Sequence, residues 1–176
     1  MDAQQRRHAI AKRLEQAQAP VSATTLAQEL NVSRQIIVGD VALLRAGGLE
    51  ITATPRGYLL PEAPAGFTGT LACRHRGDQM EEELNAMVDQ GCTVLDVIVE
   101  HPVYGQLTAP LHISNRYDVA QFIARCRQAD ARPLSQLTEG VHLHTLSCPD
   151  QAAFVRVQTD LERLGLVYSD GHTRQR

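Results

Sequence analysis

The stretch Pro61-Glu62-Ala63-Pro64-Ala65-Gly66 does most to limit how this 176-residue chain can fold. Each proline removes a backbone donor and fixes φ, and the spacing suits neither a helix nor a strand, so the segment reads as a short semi-rigid linker. The chain therefore divides into residues 1–60 and residues 67–176, each long enough to bury a core of its own. Charge differs across this boundary. Residues 1–60 carry seven Lys/Arg against five Asp/Glu, a balance of +2, whereas residues 61–176 carry ten against fifteen, a balance of −5. A balance of +2 is also what an ordinary mixed surface carries. Phosphate neutralisation is local, however, so Arg6, Arg7, Lys12, Arg13, Arg34, Arg45 and Arg56 are the candidate basic groups for contact with nucleic acid.

Composition narrows the class further. With 43% hydrophobic residues, 4% aromatic residues and no Trp, the core is expected to be aliphatic. No run resembles a transmembrane span, and Met1-Asp2-Ala3-Gln4-Gln5-Arg6-Arg7 has no apolar stretch behind it, so a cytoplasmic location without membrane association is the expectation. Cys73, Cys92, Cys126 and Cys148 form no Cys-x-x-Cys pair. That argues against a zinc ribbon and, in a reducing compartment, against disulfides, leaving small, mostly buried thiols.

In residues 1–60, Ala9, Ile10, Leu14 and Ala17 recur at helical spacing, and Pro20 closes that helix. Ser22 caps a second helix from Ala23 to Leu30. Ser33 caps a third that runs to about Ala46, with Ile36, Ile37, Val41 and Leu44 inward and Gly47-Gly48 as the stop. Leu49 to Leu60, broken by Pro55-Arg56-Gly57, reads as a small hairpin. This order is that of a winged helix-turn-helix, whose third helix enters the major groove. Arg34 and Gln35 then carry the fork and amide geometry for guanine and adenine edges, and Ser33 offers its hydroxyl and the helix-start amides to a phosphate. Arg56, at the hairpin tip, is placed for a minor groove or the backbone. Gly39 lies on the exposed side of the third helix, where it weakens the helix by about 1 kcal/mol relative to Ala. A three-helix interaction module without nucleic acid is the alternative for this unit.

The second unit alternates strand and helix signals: strand Phe67 to Arg74, helix Asp78 to Gln90, buried strand Thr93 to Glu100, and strand Gln106 to Ile113. A helix capped by Asn115, strand Val141 to Leu146, and a helix from Asp150 to Gly165 complete it. The fold class is α+β, a winged helix-turn-helix followed by a ferredoxin-like β-α-β-β-α-β-α domain. Within it, His142 and His144 project to one strand face. His75 ends the first strand and Glu83 sits on the helix after it. If the first and last strands lie together, His75, Glu83, His142 and His144 form a site for a divalent transition metal. A His-x-His pair alone is equally what a solvated sheet face carries.

Several segments together resemble a known family. They are Leu26-Ala27-Gln28-Glu29-Leu30, Val32-Ser33-Arg34-Gln35-Ile36-Ile37-Val38, Ala53-Thr54-Pro55-Arg56-Gly57-Tyr58, Asp96-Val97-Ile98-Val99-Glu100-His101-Pro102-Val103-Tyr104-Gly105 and Glu139-Gly140-Val141-His142-Leu143-His144-Thr145. In order, they resemble the bacterial niacin-responsive transcriptional repressors (the NiaR, or YrxA, family), which join a type-11 helix-turn-helix to a three-histidine domain. The resemblance implies a homodimeric repressor of NAD biosynthesis or niacin uptake genes that binds double-stranded operator DNA with nicotinic acid as effector. It also implies nickel or zinc on His75, Glu83, His142 and His144, the set that spacing selects. Gly39 departs from the family's longer polar side chain. His101 and Tyr104, after the buried strand, are candidates for contacting the effector. Two alternatives accompany this reading. A metal-responsive regulator would sense the ion itself. A metallohydrolase would need a base such as Glu81, Glu82, Glu100 or Glu139, and no catalytic residue is assigned.

Overall fold

The computed structural model describes residues 1–61, 66–130 and 132–168. The chain separates into two compact units, residues 1–63 and 64–176. The expected linker falls largely on residues 62–65, which lie outside the described residues.

In the first unit, α1 (Ala3–Glu15) starts ahead of the apolar spacing that marks it, because Asp2 and Gln5 form a reciprocal cap: the Gln5 N–H donates to Asp2 Oδ1 at 2.8 Å and the Asp2 N–H to Gln5 Oε1 at 3.1 Å. Ser22 caps α2 (Ala23–Glu29), accepting from the Thr25 N–H at 3.0 Å. Ser33 caps α3 (Arg34–Ala46), accepting from the Ile36 N–H at 3.3 Å. A hairpin follows, β1 (Thr52–Thr54) and β2 (Gly57–Leu59), with Thr52 opposite Leu59. Gly57 has φ +142° and lies so close to Val21 that a Cβ would overlap its carbonyl, which is how the hairpin presses onto the strand-like residue before α2.

The core of this unit gathers Ile10, Leu14, Leu26, Ile37, Val41 and Ile51. Ile36, expected inward, is 41% exposed. Ile37, Val41 and Leu44 share one stripe at i, i+4 and i+7, and the residue just before Ile37 is turned off it. Asp40, also on α3, is buried and takes Arg6 Nε at 2.5 Å, Arg6 Nη2 at 3.3 Å and Arg7 Nη1 at 3.5 Å. These bonds join α1 to α3.

The second unit contains β3 (Phe67–Arg74), α4 (Met80–Asp89), β4 (Thr93–His101), β5 (Gly105–Ile113), α5 (Arg116–Gln128), β6 (Val141–Cys148) and α6 (Gln151–Leu164). Its sheet is antiparallel in the order β3-β6-β4-β5. Both β-α-β crossovers are split: β6 lies between β3 and β4, and β4 lies between β6 and β5. Ferredoxin-like sheets seat the first strand inside and the last at an edge. Here the first and last strands have changed places and so have the second and third, which leaves β6 inside the sheet with every second residue buried. The helices contribute Leu84, Met87, Val119, Ile123, Val157 and Leu161 to the same core as Leu71, Val94, Leu111 and Leu146. A helical layer on a sheet is the result.

One expectation about cysteines is corrected. Cys92 and Cys148 are joined as a disulfide. Thr93 pairs with Ser147 across β4 and β6, so the residues flanking that pair, Cys92 and Cys148, are brought opposite each other. Cys73 and Cys126 are free thiols, the first buried and the second half-buried.

Candidate metal centre and DNA-binding surface

Strand alternation sends Leu71 and Cys73 of β3, and His142, His144 and Leu146 of β6, to the covered face of the sheet. Register sets Leu71 opposite His144 and Cys73 opposite His142. His75 follows the end of β3, where its N–H bonds the Gly140 carbonyl at 3.4 Å. Glu83 reaches the same place from the first turn of α4, fully buried, while His142 and His144 are each 3% exposed.

The three imidazoles converge on one carboxylate. Glu83 Oε2 lies 2.7 Å from His75 Nε2, 3.3 Å from His142 Nε2 and 3.4 Å from His144 Nε2, and Glu83 Oε1 lies 3.1 Å from His142 Nε2. Each ring uses its other nitrogen on a backbone carbonyl: His75 Nδ1 on Arg76 O at 2.5 Å, His142 Nδ1 on Gly140 O at 2.9 Å, and His144 Nδ1 on Asp96 O at 2.6 Å. A carbonyl only accepts, so every Nδ1 carries its hydrogen. In the neutral rings each Nε2 is then a bare lone pair aimed at an anion, an arrangement that needs positive charge among these atoms.

Protons or a metal ion can supply that charge. Burial alone would push the Glu83 carboxyl up, but the charge of His144 and hydrogen bonds from all three imidazoles hold it well below the ordinary carboxylate range. Burial alone would push His75 and His144 down, but Glu83 raises both. Imidazole nitrogens oriented by second hydrogen bonds, plus a carboxylate, are donor types that a transition metal could use. Two donors each about 2.0–2.2 Å from a shared ion would stand about 3 Å apart, close to the present 2.7–3.4 Å between the Glu83 oxygens and the three Nε2 atoms.

The three expected histidines are thus gathered round Glu83, and a further donor atom lies close by. Cys73, Glu83 and His142 offer ligand atoms that all lie within 4.8 Å of one another. Sequence reasoning passed over Cys73. The available signal was its position two residues before His75 on a strand. Burial pushes its thiol up, and Glu83 adds to the shift.

His101 and Tyr104 are not brought into this cluster. They form the tip between β4 and β5, where His101 Nδ1 accepts from the N–H groups of Val103 at 3.1 Å and Tyr104 at 3.3 Å, and the Tyr104 side chain is largely exposed. Asp96, whose carbonyl holds His144, is five strand positions back, about 16 Å along the chain.

On the first unit, Ser33, Arg34 and Gln35 lie exposed at the start of α3. Arg56 sits in the turn between β1 and β2, half-buried, its N–H on Thr54 Oγ1 at 3.2 Å. Several of the basic candidates are engaged within the unit. Arg6 and Arg7 hold Asp40, Arg13 pairs with Glu29 at 3.2 Å, and Arg45 Nε donates to Ile51 O at 2.8 Å.

A helix-turn-helix with a hairpin wing, joined to an α+β unit with a buried imidazole–carboxylate cluster, defines a DNA-binding regulator. Residues 6–59 match the HTH domain family and residues 68–170 the 3H domain family. The chain is 40% identical over 168 residues, 96% of each chain, to a protein of Thermotoga maritima named "Probable transcription repressor NiaR". It is 42% identical over 161 residues, 89% of each, to "Transcription repressor NadR" of Bacillus subtilis. The chain belongs to this NiaR/NadR family of transcription repressors. It is a regulator and not an enzyme, and Glu81, Glu82, Glu100 and Glu139, the carboxylates a hydrolase would have drawn on, are exposed. Among the described residues no helix is long and apolar enough to cross a membrane.

Proposed function

We propose that this repressor binds operator DNA as a cytoplasmic homodimer in response to nicotinic acid, controlling genes of NAD biosynthesis or niacin uptake. In this reading His75, Glu83, His142 and His144 hold a divalent ion, nickel or zinc. The observation that carries it is the convergence of three Nε2 lone pairs on the buried Glu83 carboxylate, in a chain that also carries a helix-turn-helix. A bound ion supplies the positive charge these donors require and ties β3, α4 and β6 together. Arg34 and Gln35 read base edges, Ser33 holds a phosphate, and Arg56 contacts the backbone or minor groove. Effector binding favours the dimer geometry that spaces two α3 helices about 34 Å apart. His101 and Tyr104, at the tip between β4 and β5, contact the remaining polar end of the effector.

A second reading, in which the ion itself is the signal, is favoured by one feature: the cluster is closed, with Glu83 fully buried and His75 at 9% exposure. The deciding experiment titrates operator binding with nicotinic acid, nicotinamide and NAD, on metal-loaded and metal-stripped protein. A response to nicotinic acid on the loaded protein alone supports the niacin reading. A response to metal without nicotinic acid supports the second reading and removes the first.

A further inference from the structure

We propose that Cys73 is a fifth donor to the ion, contributing a thiolate that neither the family's three histidines nor Glu83 accounts for. The inference rests on the proposed metal reading and specifies the chemistry of that site. Cys73 is completely buried and shares the covered face of the sheet with the imidazoles, directly opposite His142. Its Sγ belongs to the only group of three or more His, Cys, Asp or Glu ligand atoms, among the described residues, that lie within 4.8 Å of one another. It packs in the apolar core, yet the Glu83 carboxylate is among its neighbours there, so the thiol has a charged partner within that core.

Charge favours the same assignment. Neutral imidazoles and Glu83 would leave a divalent ion with one uncompensated positive charge in a buried place, and an isolated buried charge is costly. A thiolate from Cys73 removes it. Coordination forms one metal–sulfur bond and releases the thiol proton to water, with no change of oxidation state. Sulfur also makes the site selective, since thiolate is a soft donor that suits zinc, nickel or cobalt, whereas magnesium and calcium take oxygen ligands.

Cobalt(II) is the probe, loaded into the full-length, metal-stripped protein. The wild type is expected to show visible cobalt d–d bands together with an intense near-ultraviolet thiolate-to-cobalt band. Cys73→Ser is expected to lose the near-ultraviolet band and keep the d–d bands, whereas Cys126→Ser, which removes the other free thiol, keeps both. Visible bands without the near-ultraviolet band in the wild type, or a band that survives Cys73→Ser, overturn the thiolate and leave the histidine–glutamate site standing. Absence of any cobalt bands overturns both. Should Cys73→Ser fail to fold, X-ray absorption of the zinc-loaded wild type decides: a sulfur neighbour at about 2.3 Å is expected, and a shell of nitrogen and oxygen alone overturns the proposal.

Discussion

His142 occupies the middle of the cluster, with edge-on rings on either side: centroids 4.9 Å to His75 and 4.9 Å to His144. Replacing it with alanine takes a hydrogen bond from a buried carboxylate, a loss of about 1–3 kcal/mol for the metal-free fold, and a nitrogen from the proposed ion. His142→Ala is expected to abolish stoichiometric metal, measured by elemental analysis, and effector-dependent operator binding with it. Unchanged metal content would sink the assignment. The same residues set a pH profile. Glu83, held below its unfolded value of about 4.3, contributes stability above that value, which is lost as pH falls through its folded pKa. His75 and His144, raised by Glu83 despite burial, contribute fully below about 6.5, and that contribution is lost as pH rises through their folded pKa. Metal-stripped protein should therefore melt at its highest temperature between about pH 4.3 and 6.5, and metal should abolish the alkaline decline. A melting temperature of the stripped protein that climbs steadily past neutrality contradicts this account.

Elements are where local signals meet tertiary ones. Ser22, Ser33, Asn115 and Asp150 each accept from a backbone N–H at a helix start, and all four caps were legible because a cap is a matter of a few neighbouring residues. Pairing depends on register instead, and register is set by the whole sheet. That is why the Cys92–Cys148 disulfide, the place of Cys73 beside Glu83 and the inside position of β6 were not readable. The engagement of Arg6 and Arg7 with Asp40 was hidden for the same reason, since a buried aspartate partner cannot be told from an exposed one by composition. That His75, Glu83, His142 and His144 come together was legible because the strand period places two of them on one face and the end of β3 and the first turn of α4 carry the others.

Two glycines give tests at this scale. A Cβ at Gly39 meets nothing within 4 Å, so Gly39→Ala should stabilise α3 by about 1 kcal/mol, visible as a higher denaturant midpoint. An unchanged or lower midpoint would show that α3 gains nothing from the added methyl. Gly140 has φ +91°, and a Cβ there would run into the His75 carbonyl. Gly140→Ala should displace His75 and weaken metal binding by about 10–100-fold, the effect of disturbing groups that orient ligands. Metal affinity equal to wild type would show that His75 is not held through this contact.

For the whole molecule, charge sorts the work. The overall balance is −3, so attraction to DNA rests on a few cations of the first unit rather than on a general field. Arg34→Ala should cost about 1–3 kcal/mol and relax specificity at one base pair, whereas Arg56→Ala should weaken all sequences alike and lower the salt slope by about 1. Operator titrations at several salt concentrations distinguish the two, and equal losses on specific and random DNA for Arg34→Ala would contradict its reading of a base.

The antiparallel union of β3 with β6 has a consequence during synthesis. His142 and His144 leave the ribosome long after His75 and Glu83, while the helix-turn-helix is finished before any of them. On the proposed metal reading, the site therefore spans residues 75 to 144 and cannot close round an ion until translation has passed residue 144, well after the DNA-binding unit has been made.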